Sequence, residues 1–458
     1  MLKIGDKKLI NAWAFYDWAN SVYSLVISTA VFPLYYTAIT DEKTVNFLGT
    51  DWDHPDSLYS YALSFSFLIV AFISPILSAI ADYTGSKKRF LQIFCLIGSL
   101  SVMSLYFFDG IETVWVGIVF SVLASIGFWG SIVFYNAYLP EVAHPEDQDR
   151  VSAKGFIYGY TGSVILLLIN LAMILSPGTF GFDLSIDPAI LEAGNQVKID
   201  EATEQVKNAA SLKAMRISFV MVGLWWLGFA QITYRRLPNN VFNKKPGKDY
   251  LWKGFRELKV VFKEVKNYPT LRNFLIAFFL LSVGVQTIIL MASIFGSEEL
   301  GLEATSLIIT ILLIQIVAIF GAWLFSRLSK KYGNFNALKT TIFIWILVCF
   351  GAFMLHKDIE NVAILFYSLG GVLGLVLGAV QSLARSTYSK LLPETEDHAT
   401  YFSFFDVTEK IAIVLGTFVF GFLFAMTGSM QWSALSLALF FVAAFVVLSF
   451  LKGTKYVK

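Results

Sequence analysis

Apolar runs of membrane-spanning length, each broken by a short polar stretch, recur from one end of the chain to the other. A helix crossing the hydrocarbon core needs roughly 20 predominantly apolar residues, and the pattern supplies twelve candidate segments. Six run Trp13–Thr37, Tyr59–Ala81, Phe90–Phe108, Val114–Leu139, Gly155–Leu175 and Ile217–Tyr234. After a long basic break come Phe274–Phe295, Ser306–Leu328, Leu338–Leu355, Val362–Ala384, Phe402–Met426 and Trp432–Leu451. The pattern predicts an all-α membrane protein of twelve transmembrane helices. Composition agrees, with 56% hydrophobic and 15% charged residues, a balance foreign to soluble domains. Segment 1 is too long, and too polar at its start, for a cleaved signal peptide.

Net charge is only +2, but its distribution is informative. With the amino terminus inside, the cytoplasmic stretches hold 28 of the 35 Lys and Arg residues and the outer stretches hold six. That asymmetry places both termini in the cytoplasm. Cys95 and Cys349 fall inside apolar segments, so no disulfide framework is expected. His54, His144, His356 and His398 sit in loops without metal-ligand spacing. No glycine-rich phosphate loop with a following lysine occurs, which argues against ATP hydrolysis. No cofactor, no enzyme activity and no nucleic-acid partner are expected; the partners are the lipid bilayer and a small-molecule substrate, and the chain is expected to be a monomer.

The basic break divides the chain into residues 1–234, a linker of 235–271, and residues 272–458. Within the linker Leu251, Trp252, Phe255, Leu258, Phe262 and Val265 recur near helical spacing between lysines and arginines. That is an amphipathic helix suited to an anionic leaflet, or a simple tether. Segment 4 runs into Leu139-Pro140-Glu141 and segment 10 into Leu392-Pro393-Glu394, 253 residues later. Parallel repeats of six helices are the arrangement of the major facilitator fold, with binding at the interface between two pseudo-symmetric halves. The loop after segment 2, Ser78 to Arg89, resembles the major facilitator loop signature. Gly85 suits its tight turn, Asp82 can cap or pair across the halves at an inner gate, and Lys87, Lys88 and Arg89 follow. Ser78 and Tyr83 depart from the usual glycine and arginine, and after segment 8 Phe325 stands where an acid would be expected.

Three strings, Tyr16-Asp17-Trp18-Ala19-Asn20-Ser21, Tyr135-Asn136-Ala137-Tyr138-Leu139-Pro140 and Gln381-Ser382-Leu383-Ala384-Arg385-Ser386, resemble one branch of the major facilitators. It is the bacterial group related to the fungal autophagy-linked vacuolar amino-acid effluxer. The resemblance implies a twelve-helix secondary transporter of the bacterial cytoplasmic (inner) membrane, with amino-acid export as its substrate hint. Where that group often carries an Asp-Gly pair on helix 7, this chain has Val283-Gly284.

An ionised acid at the centre of a membrane helix costs about 2.5–3.5 kcal/mol on insertion scales, so Asp17 calls for a partner or a wet cavity. Asp17, Asn20, Ser21, Ser24 and Ser28 follow i, i+3, i+4, i+7, i+11 spacing and share one face. Asp17 reads as a pathway residue or as half of a structural pair, and Trp18 beside it joins the candidate pathway set. In the major facilitator arrangement segments 1, 4, 7 and 10 line a central cavity. Trp129, Tyr135 and Asn136 on segment 4, Gln286 on segment 7, and Gln381 with Arg385 on segment 10 are then further pathway candidates. Segment 11 carries Asp406, Glu409 and Lys410. Asp406 and Lys410 at i, i+4 can neutralise each other, leaving Glu409 as the residual acid for proton coupling, or all three belong to an inner gate. A transporter-like sensor that binds a ligand without flux is the alternative reading. A membrane-embedded transferase would have to use Asp51, Asp53 and Asp56, which read better as a solvated loop.

Overall fold

The computed structural model describes residues 3–41, 43–188, 190, 195–238 and 250–451. Among these residues twelve helices are long and apolar enough to cross a membrane. We label them α1 (Lys7–Thr40), α2 (Ser57–Thr84), α3 (Lys87–Phe107), α4 (Ile111–Asn136), α5 (Gln148–Leu175), α6 (Gln196–Tyr234), α7 (Pro269–Glu299), α8 (Thr305–Tyr332), α9 (Asn334–Met354), α10 (Val362–Leu391), α11 (His398–Thr427) and α12 (Met430–Ser449). Each expected segment has its helix. Most helices outrun the apolar run that announced them, because hydropathy marks only the lipid-crossing part. The largest difference is α6, which begins 21 residues before Ile217: the polar stretch read as a loop continues the helix beyond the bilayer.

Between α1 and α2 a short antiparallel hairpin pairs β1 (Val45–Phe47) with β2 (Thr50–Trp52). Asp51 there accepts from Asn46 (2.6 Å) and Asp53 from Thr44 (3.0 Å). No cluster of metal-ligating side chains occurs among the described residues.

Helix packing builds two halves. In the first, α1 packs on α5 and α6, and α4 lies between α2 and α3; in the second, α8 packs on α10 and α9 and α7 on α12. The seam between halves runs where α5 meets α8 and α10, and where α2 meets α11. Small residues set the closest approaches. A Cβ on Gly155 would strike the Asp17 carboxylate, one on Gly159 the Ser21 hydroxyl, and one on Gly162 the Trp18 ring. Glycines 155, 159 and 162 of α5 are thus the groove that receives the polar face of α1. Gly370, Gly374 and Gly378 of α10 do the same for α8.

Two local departures shape the functional region. Residues Tyr23–Val31 of α1 form a π-helical stretch, ahead of Pro33, a wide turn often found at functional sites. Gly85 ends α2 with φ 69°, the left-handed cap that lets the chain reverse into α3.

Of the linker, residues 239–249 lie outside the described set. A helix spans Tyr250–Asn267 and packs against α2, α7 and α11. Val261 and Val265 are buried, and the Tyr401 hydroxyl donates to Glu264 at 2.6 Å. The side chains of Leu251, Trp252, Phe255 and Leu258 are outside the described set; Phe262, expected on the apolar face, is half exposed.

Candidate functional site

A cavity of about 310 Å³ lies between the halves, lined by α1, α2, α4, α5, α7, α8, α10 and α11. The α1 stripe faces it as its spacing predicts: Asp17, Asn20, Ser21, Ser24 and Ser28 all line the space. So do Trp129, Tyr135 and Asn136 of α4, Gln286 of α7, Gln381 and Arg385 of α10, and Glu409 of α11. Trp18 does not. One residue beyond Asp17, it is rotated about 100° around the helix and stacks on Trp225 at 5.5 Å, with α5 and α6 around it.

The floor of the cavity is a buried ion pair. Both terminal nitrogens of Arg385 lie 3.3 Å from Asp17 Oδ2, and the Tyr135 hydroxyl donates to the same oxygen at 2.7 Å. The other guanidinium hydrogens go to Ser152 Oγ (2.9 Å), the Ser152 carbonyl (2.9 Å) and Asn136 Oδ1 (3.2 Å). Phe156 and Trp13 sit over the cation at 4.2 and 4.9 Å. Such saturation is what makes a buried ion pair tolerable, because each partner replaces water that burial removed. Ser152 also donates to the Ser382 carbonyl at 2.8 Å, and Tyr160 donates to Gln381 at 2.5 Å, so α5 and α10 are tied twice more.

Of the α11 cluster, Glu409 lines the cavity, and Asp406 and Lys410 are buried. Lys410 Nζ lies 3.3 Å from Asp406 and 3.9 Å from Glu409, and only 3.2 Å from the centre of the Trp129 ring. The i, i+4 pair is therefore present, and Glu409, the acid left over within α11, finds a neutral partner on another helix. Gln286 donates to it across the gap from α7, a contact between helices that spacing within α11 cannot disclose.

The end that carries the basic loops and the chain termini, here the basic end, is closed. Asp82 is buried and accepts from the backbone N–H groups of Ala399 (3.2 Å) and Thr400 (2.8 Å) and from the Thr400 hydroxyl (2.9 Å). It caps the N-terminus of α11 in the opposite half, where the unsatisfied amides and helix dipole favour an anion. Lys87 pairs with Glu141, whose other neighbour is His398 at 3.3 Å, again across the halves. Lys88 donates to the Leu237 carbonyl at 3.1 Å; Arg89 is exposed. Burial raises the Glu141 carboxyl, but the hydrogen bond from His398 and the charge of Lys87 outweigh it and hold it below its ordinary value.

At the pseudo-equivalent corner the roles reverse. Phe325 is buried, and the acid comes instead from Asp149 at the start of α5, which meets Lys390 (2.7 Å), Ser329 (2.9 Å) and Asn334 (2.7 Å). Asp149, Ser152, Gly155, Tyr160, Glu141, His398 and Lys390 escaped the sequence reading. His398, placed in a loop, heads α11. The cross-half hydrogen bonds and ion pairs named here lie at the basic end or at mid-depth. From the Asp17–Arg385 floor the cavity extends the other way, past Thr29, Ser293, Leu307 and Phe366.

Comparison with known proteins agrees with this architecture. Residues 5–456 match the family described as vacuole effluxer Atg22 like. The chain is 31% identical over 441 residues to the uncharacterized MFS-type transporter YxiO of Bacillus subtilis (strain 168), covering 96% of this chain and 94% of that one. It is 24% identical over 522 residues to autophagy-related protein 22 of Cryptococcus neoformans var. neoformans serotype D (strain B-3501A), covering 96% and 94%. Among solved structures, the major facilitator transporter FucP in the outward conformation superposes with TM-score 0.68 at 15% identity, covering 98% of both chains. The proton:xylose symporter XylE bound to 6-bromo-6-deoxy-D-glucose gives 0.61 at 12%, covering 98% and 96%. At such identities these two likenesses speak for the fold.

Proposed function

The chain belongs to the Atg22-like family of major facilitator transporters, and from that premise we propose that it is a secondary transporter of the bacterial cytoplasmic membrane exporting a small amphipathic solute, an amino acid or related metabolite. The observation that carries this reading is the cavity wall. It sets the Arg385–Asp17 pair and, on a different helix, Glu409 among Phe278, Leu281, Ile289 and Leu377. Apolar walls with a few placed polar groups suit a small solute with a charged head and an apolar body. In this reading the basic end faces the cytoplasm, as its surplus of Lys and Arg requires. The conformation described is then closed inward, and Asp82, Lys87 and Gly85 belong to the inner gate. Glu409 is the coupling acid: it lines the cavity, and its carboxylate accepts from the neutral Gln286 amide with Lys410 Nζ 3.9 Å away.

The test is flux in proteoliposomes under an imposed pH gradient, screened over amino acids and peptides. Glu409→Gln, which imitates the protonated acid, is expected to abolish gradient-driven transport while solute-for-solute exchange survives. Unimpaired pH-driven flux in that variant refutes the coupling role, and ligand binding without any flux favours the sensor reading. Orientation is checked with an impermeant thiol reagent on intact cells: a cysteine at Asn195 should label from outside and one at Asn336 should not.

A further inference from the structure

Lys410 is an odd residue for a membrane helix. It is 3% exposed, yet its ammonium does not reach along the lipid-facing surface to water, as lysines near helix ends do. It turns across the seam between halves and lies against Trp129, 3.2 Å from the ring centre, with Phe67 at 5.9 Å. Trp129 and Phe67 stand edge to face at 6.0 Å and belong to the other half. Two carboxylates, Asp406 and Glu409, complete the surroundings. Tryptophan and phenylalanine faces joined to carboxylates make a general recognition box for an organic ammonium ion.

The box is also poorly satisfied by the lysine that fills it. Among the described residues Lys410 Nζ forms no hydrogen bond of good geometry, although an ammonium has three donors, and Asp406 Oδ2 is buried without a partner. The tether explains this. Lysine and both acids leave the same helix, so the ammonium cannot settle between the carboxylates and above the ring at once. A cation free of that tether can. The box is reachable, since Phe67, Trp129, Phe405 and Glu409 all line the central cavity.

We propose that the Trp129–Phe67–Asp406–Glu409 box is the recognition site for the ammonium group of the transported solute, and that Lys410 is a built-in stand-in which occupies it in the empty protein. This rests on the reading of the chain as a transporter of a small amphipathic solute and adds the group by which that solute is held. Because the lysine head bridges the two halves, a solute that displaces it also removes a contact across the seam. The exchange keeps one cation in the box throughout, so α11 never has to bury its two acids uncompensated.

The test is binding of n-butylammonium to purified, detergent-solubilised protein, followed by isothermal titration calorimetry, and needs no flux. Lys410→Ala vacates the box and should bind butylammonium at least about tenfold more tightly than wild type, the order expected for one desolvated cation–aromatic contact. Adding Trp129→Leu or Asp406→Asn to Lys410→Ala should remove the gain, and n-butanol should not compete. If Lys410→Ala does not fold, Lys410→Gln, uncharged and one bond shorter, is read in its place with the same expectation. Equal affinity in wild type and variant, or a gain that survives Trp129→Leu, overturns the proposal and leaves Lys410 a structural strut. Absence of transport by the wild-type protein, with the tight butylammonium site present, would instead strike the transporter reading and not the box.

Discussion

Replacing Asp82 by Asn isolates the charge in the cap that one half places on α11 of the other. The side chain keeps its size and one acceptor oxygen, so the turn at Gly85 and the packing of α2 are preserved. What goes is the anion facing two backbone N–H groups and the Thr400 hydroxyl. Hydrogen bonds to a charged group contribute about 1.5–3 kcal/mol against about 0.5–1.5 for neutral ones, and a helix N-terminus adds about 0.3–1 kcal/mol for an anion. The closed basic end should therefore lose about 1–2 kcal/mol, a factor of roughly 5–30 in the population that opens. Ser382 offers a reporter. It is fully buried, among the described residues its hydroxyl bonds within α10, and its carbonyl sits on the seam, so Ser382→Cys keeps the cross-half bond that the carbonyl accepts from Ser152. In a background lacking Cys95 and Cys349, the rate at which a small thiol reagent modifies this cysteine reads the open fraction. Asp82→Asn should raise that rate by the same factor with little change in melting temperature, because the helices of each half stay packed. An unchanged rate would falsify the assignment of Asp82 to closure, as would a rise that merely tracks global unfolding.

Three other outcomes are expected. Arg385→Met leaves Asp17 buried without its cation and should cost about 3–5 kcal/mol of stability, read as a lower melting temperature, whereas Asp17→Asn in the same chain should recover part of it. Gly155→Ala puts a methyl group against the Asp17 carboxylate, 2.9 Å from the Tyr135 hydroxyl and 3.0 Å from Arg385 Nη2; overpacking of this kind costs about 1–3 kcal/mol, and transport should fall even where the protein is still made, while wild-type transport would show that the floor tolerates displacement. Glu141 titrates below its ordinary 4.5, so the stability it lends through Lys87 and His398 is complete above that pH and is lost as the pH falls from there through its folded value; melting curves carried from neutral pH to well below 4.5 should be flat on this account above 4.5 and show an acid limb below it in wild type, shallower in Glu141→Gln.

What could be foreseen and what could not follow from where each charge sits in the chain. Asp17 stood out because it interrupts an apolar run and Arg385 because it sits at the very end of one, and a charge there demands a partner, so their meeting was arguable from spacing and length of side chain. Glu141, Asp149, His398 and Lys390 lie at helix ends beside other loop charges, where a buried, paired group and a solvated one look alike in sequence. The α5 glycines were hidden for a different reason. Glycine is common in membrane helices, and only the position of α1 reveals that 155, 159 and 162 share the face that receives it. The direction of Lys410 depends on Trp129 and Phe67 from two other helices, information no window along α11 contains. Hydropathy likewise fixed the lipid-crossing part of α6 but not its polar extension to Gln196, since helix formation and lipid solubility are separate properties.

The way Arg385 is held has a kinetic consequence. Its contacts end on α1, α4 and α5, and the glycine groove of α5 locks two of those three together, so the receiving surface shifts as a unit. Hydrogen bonds and close-packed contacts fade within about an ångström of extra separation. A small parting of the halves must then sever the bonds to Asp17, Asn136 and Ser152 almost simultaneously, and half-severed arrangements gain nothing by lingering. The floor is therefore expected to let go in one step, not bond by bond.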